Sequence, residues 1–444
     1  MPRKAKFWLT LMLSMLLFLL AACGQGSSTN ISPSSTATGP SGESLYVLDG
    51  YTPMGTTSAG QRIIAFHPGS SSPNALVTLP AGLTSMDHRR LYMATPHGGQ
   101  TTISVINTQS GTSVRSLVIN GNYSTAGQSF NDAVLSFDGR WLALREMGQT
   151  GNVTTIVLVD TQAVKLVKTI QMAGNFDLDA VSPDSSAIYL LERLNDGSGH
   201  YYVRLYDVTK NQLYQSPVAD KTEINDPRMT GTAVARQMPG DGTMAYTLYI
   251  DTFHKVAFVH VLSLNPGFPS AHCIFLPVGK SADLLHYYTL TLSADRSTLY
   301  AANGALGVVS EINLTPPGSN DIWDDKVVAT DRFNPGNSNV ANSGNTRVLY
   351  NGAALSPDQG TLYFVGMQGI WAVNSSDLHA QRDIFAHYLA QQSFTGIALS
   401  ADGRTLYAVD PAHGITVLDA RTGQAQQIIQ GPAHAPWGIE WITN

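Results

Sequence analysis

Gly396-Ile397-Ala398-Leu399-Ser400-Ala401-Asp402-Gly403-Arg404-Thr405-Leu406-Tyr407-Ala408-Val409 is the stretch whose reading decides the fold. A short apolar strand runs into a Ser-Ala-Asp-Gly turn, and a second strand with period-two alternation leaves it, the pattern of an antiparallel meander. Asp suits such a turn because its carboxylate bonds its own backbone, and Gly because it accepts positive φ. Asp402 stands five residues before Tyr407, and the interval recurs at Asp87 and Tyr92, Asp184 and Tyr189, Asp241 and Tyr246, Asp295 and Tyr300, and Asp358 and Tyr363. A seventh copy, Ser136-Phe137-Asp138-Gly139, has Ala143 in the tyrosine slot. A constant local distance inside units of variable length marks one supersecondary unit repeated along the chain, with loops absorbing the differences.

In the last internal unit, 415–419 reads as a third strand, Thr422-Gly423 as a turn and 424–429 as a fourth strand. The seven aspartates lie 44 to 63 residues apart, room for four short strands and their loops. The two ends complement one another. Residues 438–444 align without a gap on 396–402, so the chain stops at the turn of a first strand, whereas Ser44-Leu45-Tyr46-Val47-Leu48 begins on a second strand. The C-terminal strand is therefore expected to complete the N-terminal unit and remove an open sheet edge. Seven turns plus this composite unit predict eight blades. Seven remains the alternative, because Met238-Pro239-Gly240-Asp241 carries an extra residue. Long 3.6-period segments are absent, and 383–392 is the one stretch that could form a short helix.

Four-stranded units of this length, arranged in a ring, resemble the blades of a β-propeller, an all-β fold. The signature Ser-Pro/Ala-Asp-Gly-x-x-Leu-Tyr, with stretches such as Ile103-Ser104-Val105-Ile106-Asn107, resembles bacterial YVTN-type and TolB-like repeats over nearly the whole mature chain. It departs from the WD40 pattern in having no Trp-Asp pair at the end of the third strand. Asp160, Asp207 and Asp419 follow Val, Tyr and Leu there. The resemblance implies the fold. Such propellers serve as binding scaffolds, lactonases, redox enzymes and assembly subunits, so it does not choose a function.

Arg3, Lys4 and Lys6 precede an apolar run over 7–20, which is short for a membrane span and reads as an export signal. The run ends in Leu20-Ala21-Ala22-Cys23, which resembles a bacterial lipobox, with Cys23 as the lipidated residue. An ordinary secretory signal with a chance cysteine is the alternative. The chain is thus divided into a signal peptide over 1–22, a lipidated tether over 23–42 and a propeller over 43–444. Residues 24–42 carry no charge and are dominated by Ser, Thr, Gly and Pro, a composition that cannot bury a core. The expected location is the extracytoplasmic side of a bacterial membrane, held there by the lipid. Removing the three basic residues of the signal from 26 Lys+Arg leaves 23, against 32 Asp+Glu. That balance argues against a nucleic-acid partner. Cys273, the other cysteine, lies in an apolar run and reads as a buried structural thiol.

In a blade of this kind the Ser/Asp turns share one face with the third-to-fourth turns. The opposite face carries the second-to-third loops and the links between blades. Long links are predicted there over 120–132, 173–179, 219–231, 279–286, 331–347, 386–394 and 431–438. Asp132, Asp177, Arg228, His286, His387 and Trp437 are the ligand-contact candidates among them, with Asp179 nearby. Their acidic, basic, imidazole and aromatic groups suit a protein or polymer partner, bound by a monomer. No catalytic residue, metal site or cofactor is assigned. His97 and His413 follow the repeat tyrosine in similar loops and read as loop punctuation. Asp321, Asp324 and Asp325 lack the alternating spacing of a calcium loop. No Gly-x-Ser-x-Gly elbow, His-Glu-x-x-His pair or phosphate loop occurs. The leading expectation is a lipid-anchored binding or assembly scaffold. A metal-dependent lactonase or glycan-acting hydrolase is the alternative, and it would need three or more carboxylates or imidazoles converging at the central axis.

Overall fold

The computed structural model describes residues 42–50, 61–125, 131–149, 153–220, 226–316, 322–335, 349–367, 369–384 and 393–443. These residues form eight four-stranded antiparallel sheets arranged as the blades of a propeller. Blade 1 is composite. Its inner strand is Pro436–Thr443, followed outward by Ser44–Asp49, Arg62–Phe66 and Val77–Pro80. Blades 2 to 8 follow in chain order over 83–120, 133–173, 176–213, 232–275, 288–332, 353–384 and 396–429, each running from inner to outer strand. Eight blades and closure by the C-terminal strand are thus as expected. The segment 383–392 is corrected in part, since Ala380–Ile384 is the outer strand of blade 7 and 385–392 lie outside the described residues.

The core lies between blades rather than inside any one of them. Tyr246, Leu248 and Val259 of blade 5 pack on Leu290, Leu299 and Ile312 of blade 6. Tyr407, Val409 and Ile415 of blade 8 pack in the same way on Leu45, Val47 and Phe66 of blade 1, so the seam that joins the two chain ends is as apolar as the others. A sheet buried on both faces needs apolar residues at successive positions, which explains strands such as Met244–Asp251, buried along its whole length.

The repeated turn is a small hydrogen-bonded unit. In six blades a serine hydroxyl donates to the aspartate two residues later, as from Ser356 to Asp358 and from Ser400 to Asp402, both at 2.6 Å. The same aspartate accepts the N–H two residues further on, at Gly360 and Arg404. The serine oxygen accepts the N–H five residues ahead, at Thr361 and Thr405. The residue after each aspartate has positive φ, as at Gly139, Gly242 and Gly403, and at His88, Ser185, Arg296 and Gln359, where a larger side chain takes the same conformation. Serine hydrogen bonds hold the carboxyls of Asp87, Asp295, Asp358 and Asp402 below their ordinary value. A carboxyl with a lowered folded pKa contributes stability that is complete above the unfolded value of about 4 and is lost as pH falls through the folded value. Melting temperature should therefore fall below pH ~4 less steeply in Asp358→Asn, which has nothing to protonate there, than in the wild type. Parallel acid limbs in the two proteins would show that the turn carboxylates do not set the acid response.

The repeat tyrosines staple neighbouring blades at this face. Tyr363 donates to the carbonyl of Ala420 in blade 8 (3.2 Å), and Tyr246 donates to Asp325 in blade 6 (2.7 Å). Tyr407 of blade 8 donates to Glu43 at the entrance to blade 1 (2.7 Å). Asp160 and Asp419, in the position where WD40 repeats have their Trp-Asp aspartate, accept N–H groups of the third-to-fourth turn, from Ala163 (2.8 Å) and Thr422 (2.7 Å).

Candidate functional site

Links and second-to-third turns meet on the face opposite the Ser/Asp turns. Gly50 N–H donates to Ala435 O (3.0 Å), Gly121 N–H donates to Gly99 O (2.8 Å), and Asp410 accepts Ser393 N–H (2.6 Å). Second-strand ends thus carry polar groups that fasten the incoming link: Asp49, Asn303 and Asp410 do so in blades 1, 6 and 8. Blades 3 and 4 place arginines there instead, Arg145 and Arg193.

Those two arginines organise a chain of charge across the two blades. Arg145 donates through Nε to Asp132 (2.8 Å) and lies 3.7 Å from Asp177, which also pairs with Arg193 at 2.7 Å. The guanidinium of Arg193 lies over the Tyr201 ring at 4.6 Å, and Tyr201 donates to the carbonyl of Thr230 in the link to blade 5 (3.1 Å). The aspartates are nearly enclosed, whereas the arginine side chains remain 28% and 31% exposed. The arrangement therefore offers cationic donors held in place by buried acids.

Asp132 and Asp177 are the two predicted residues that the structure brings together. The others are scattered. Arg228 is an exposed link residue forked onto Asp226, at 2.8 Å from Nε, and that pairing lowers the Asp226 carboxyl to about 2. His286 closes the 3-10 turn Ala282–Tyr287 between blades 5 and 6, where burial lowers its pKa. Trp437 lies in blade 1, and its carbonyl accepts the Thr395 hydroxyl. His387 and Cys23, the expected lipidation residue, lie outside the described residues. Two placements are corrected. Asp177 and Trp437, read as link residues, belong to the inner strands Phe176–Val181 and Pro436–Thr443, because these strands begin earlier than the apolar pattern suggested. Cys273, expected to be buried, is only partly buried, on the outer strand of blade 5.

Sequence reasoning missed Arg145, Arg193 and Arg236. For Arg145 and Arg193 the available signal was an arginine at the end of a second strand, where blades 1, 5, 6 and 8 carry Asp or Asn. Arg236, on the inner strand of blade 5, pairs with Asp179 of blade 4 and donates to Thr247 (2.9 Å). Also missed was Phe253, 86% exposed on the second-to-third turn of blade 5 beside His254. His413, read as punctuation, pairs with Asp410 at 3.0 Å. Asp325, weighed as a calcium ligand, accepts the hydroxyls of Tyr246 and Thr315. Among the described residues no group of three or more His, Cys, Asp or Glu side chains is placed to hold a metal ion.

No model of a known family and no curated protein matches the sequence. Solved structures do share the ring. Apo AztD from Citrobacter koseri is 11% identical, with 89% of this chain and 97% of that chain covered at a TM-score of 0.52. A second Citrobacter koseri AztD structure is 12% identical, covering 89% and 96% at 0.50. Dihydro-heme d1 dehydrogenase NirN, in complex with DHE, is 14% identical, covering 90% and 75% at 0.48. The likeness to the two AztD structures, at such identity, establishes the propeller fold and nothing about its ligand.

Proposed function

We propose that this chain is a lipid-anchored, extracytoplasmic binding scaffold whose link face holds a protein or polymer partner. The observation that carries the reading is the Asp132, Arg145, Asp177 and Arg193 chain, which holds two partly open guanidiniums on rigid strand ends. The exposed ring of Phe253 adds an aromatic anchor on the same face, a residue type that is enriched at interfaces together with arginine. The entry of the chain supports the orientation. Glu43 is held on the turn side by the hydroxyl of Tyr407 and the N–H of Ala401, so the described chain enters blade 1 away from the link face.

Capture from an envelope extract of the source cell tests this reading. Phe253→Ser combined with Arg193→Ala should weaken capture of the partner by about tenfold or more. Asp358→Ala with Asp402→Ala, on the opposite face, should leave capture by the folded fraction intact. Loss confined to the turn-face pair would overturn the choice of face. In the same cells Cys23→Ser should release the protein from membranes or leave an uncleaved precursor, and normal processing with normal membrane retention would overturn the anchor.

A further inference from the structure

The central axis holds a carboxyl that no basic side chain among the described residues pairs with. Inner strands pair in register with second strands, but two of them carry an inserted acidic residue. In blade 4, Leu178 pairs with Leu190 and Ala180 with Tyr189, which leaves Asp179 as the extra residue of a bulge. In blade 1, Val47 pairs with Ile439 and Tyr46 with Trp441, which leaves Glu440 as the extra residue. Each bulge falls directly before the residue opposite the repeat-tyrosine position. Bulges re-aim side chains and recur beside functional sites.

The two acids then differ. Asp179 is neutralised by Arg236 of the next blade. Glu440 accepts the Tyr350 hydroxyl at 2.7 Å, and among the described residues no basic side chain pairs with it. Glu440 borders two axial cavities, of about 420 and 410 Å³. Leu83, Ala133, Leu135, Phe137 and Met238 form apolar walls of the first. Its other charged groups are Asp132 and Arg236, each already neutralised, the one by Arg145 and the other by Asp179. Among the described residues that line this space, Glu440 is the acid without a cationic partner.

We propose that the axial cavity binds a small organic ammonium ion, with its charged nitrogen on Glu440 and its apolar body against the walls from blades 2, 3 and 5. The volume falls within the range of small-molecule sites, which are mostly apolar with a few placed polar groups. A metal ion is a poorer fit, because one carboxylate and one phenol fall short of the ligand number that zinc or calcium takes. Burial raises the Glu440 carboxyl above its ordinary value, against the opposing effect of the Tyr350 hydrogen bond. A cation in the cavity would supply the counter-charge that an enclosed carboxylate otherwise lacks. This site shares Asp132 with the partner face, but Glu440 and the apolar walls are not part of that face, and it stands whether or not a macromolecule binds there.

Calorimetric titration of the full chain at neutral pH with benzylamine, protonated under those conditions, and with its neutral analogue benzyl alcohol tests the assignment. Benzylamine should bind about tenfold or more tightly than the alcohol, and Glu440→Gln should erase that preference. Ala133→Leu, which fills the cavity from blade 3 without touching the carboxylate, should weaken benzylamine binding by a similar factor. It keeps the test decisive should the Gln variant fail to fold. Equal binding of the two probes, absence of benzylamine binding, or an unchanged preference in a folded Glu440→Gln protein would overturn the proposal. So would unchanged benzylamine binding in Ala133→Leu, or displacement of benzylamine by an equal concentration of potassium chloride.

Discussion

A chain ending at residue 437 is expected to have no cooperative folding transition at 25 °C. The seven residues removed form most of the inner strand of blade 1, so Ser44–Asp49 would lose its partner and present unpaired donors and acceptors to the channel. Ile439 and Trp441, 2% and 5% exposed, would be lost from the cores on either side of that strand. Trp441 is stacked between Tyr46 at 4.4 Å and His88 at 5.0 Å, so it joins blade 1 to the first turn of blade 2. Removing one buried isoleucine costs about 2–5 kcal/mol and one buried tryptophan about 3–5. Those losses together match the whole of a typical folding free energy of about 5–15 kcal/mol. Circular dichroism melting of the truncated protein beside the intact one checks the expectation, and an unchanged melting temperature would refute strand closure.

Arg236→Met is expected to destabilise the protein by about 3–5 kcal/mol, because it leaves Asp179 enclosed without a cation. Asp179 is 1% exposed and sits on a bulge, so neither the side chain nor its strand can turn it to water without breaking the pairing with Ala187–Arg193. Replacing both partners, as in Asp179→Leu with Arg236→Met, should recover most of the loss, since an apolar pair of similar volume removes the desolvation cost as well as the attraction. Urea denaturation of the two single variants and the double variant measures the coupling. Additive losses would show that the two residues stabilise the ring independently.

The repeat was legible because it is local. Ser400, Asp402 and the N–H groups of Arg404 and Thr405 lie within five residues of one another, so the turn's hydrogen bonds are written into consecutive positions and recur wherever the motif does. Closure was legible for a related reason: a second strand at residue 44 and a surplus first strand at 438 are each incomplete alone. The faces could be anticipated as well, because a meander must place alternate connections at opposite ends. What each tyrosine does could not. Tyr246 meets Asp325 across 79 residues and Tyr407 meets Glu43 across 364, distances at which no periodic pattern names the partner.

The candidate site shows the same division. Asp132 and Asp177 were visible as acids near predicted links, yet their meaning changed once Arg145 was found between them. Glu440 was hidden more thoroughly, because a gap-free alignment of 438–444 on 396–402 sets it level with Ala398. The actual pairing skips it and turns an ordinary strand position into a bulge. Sequence by itself determined the unit and the way the ring closes, since these follow from hydrogen bonds and apolar alternation over a few residues, and the structure settled the copy number at eight rather than seven. Tertiary structure alone decided which charges neutralise one another and which carboxylate is left facing the axis, because Coulomb interactions depend on distances set by the whole ring and not by position along the chain.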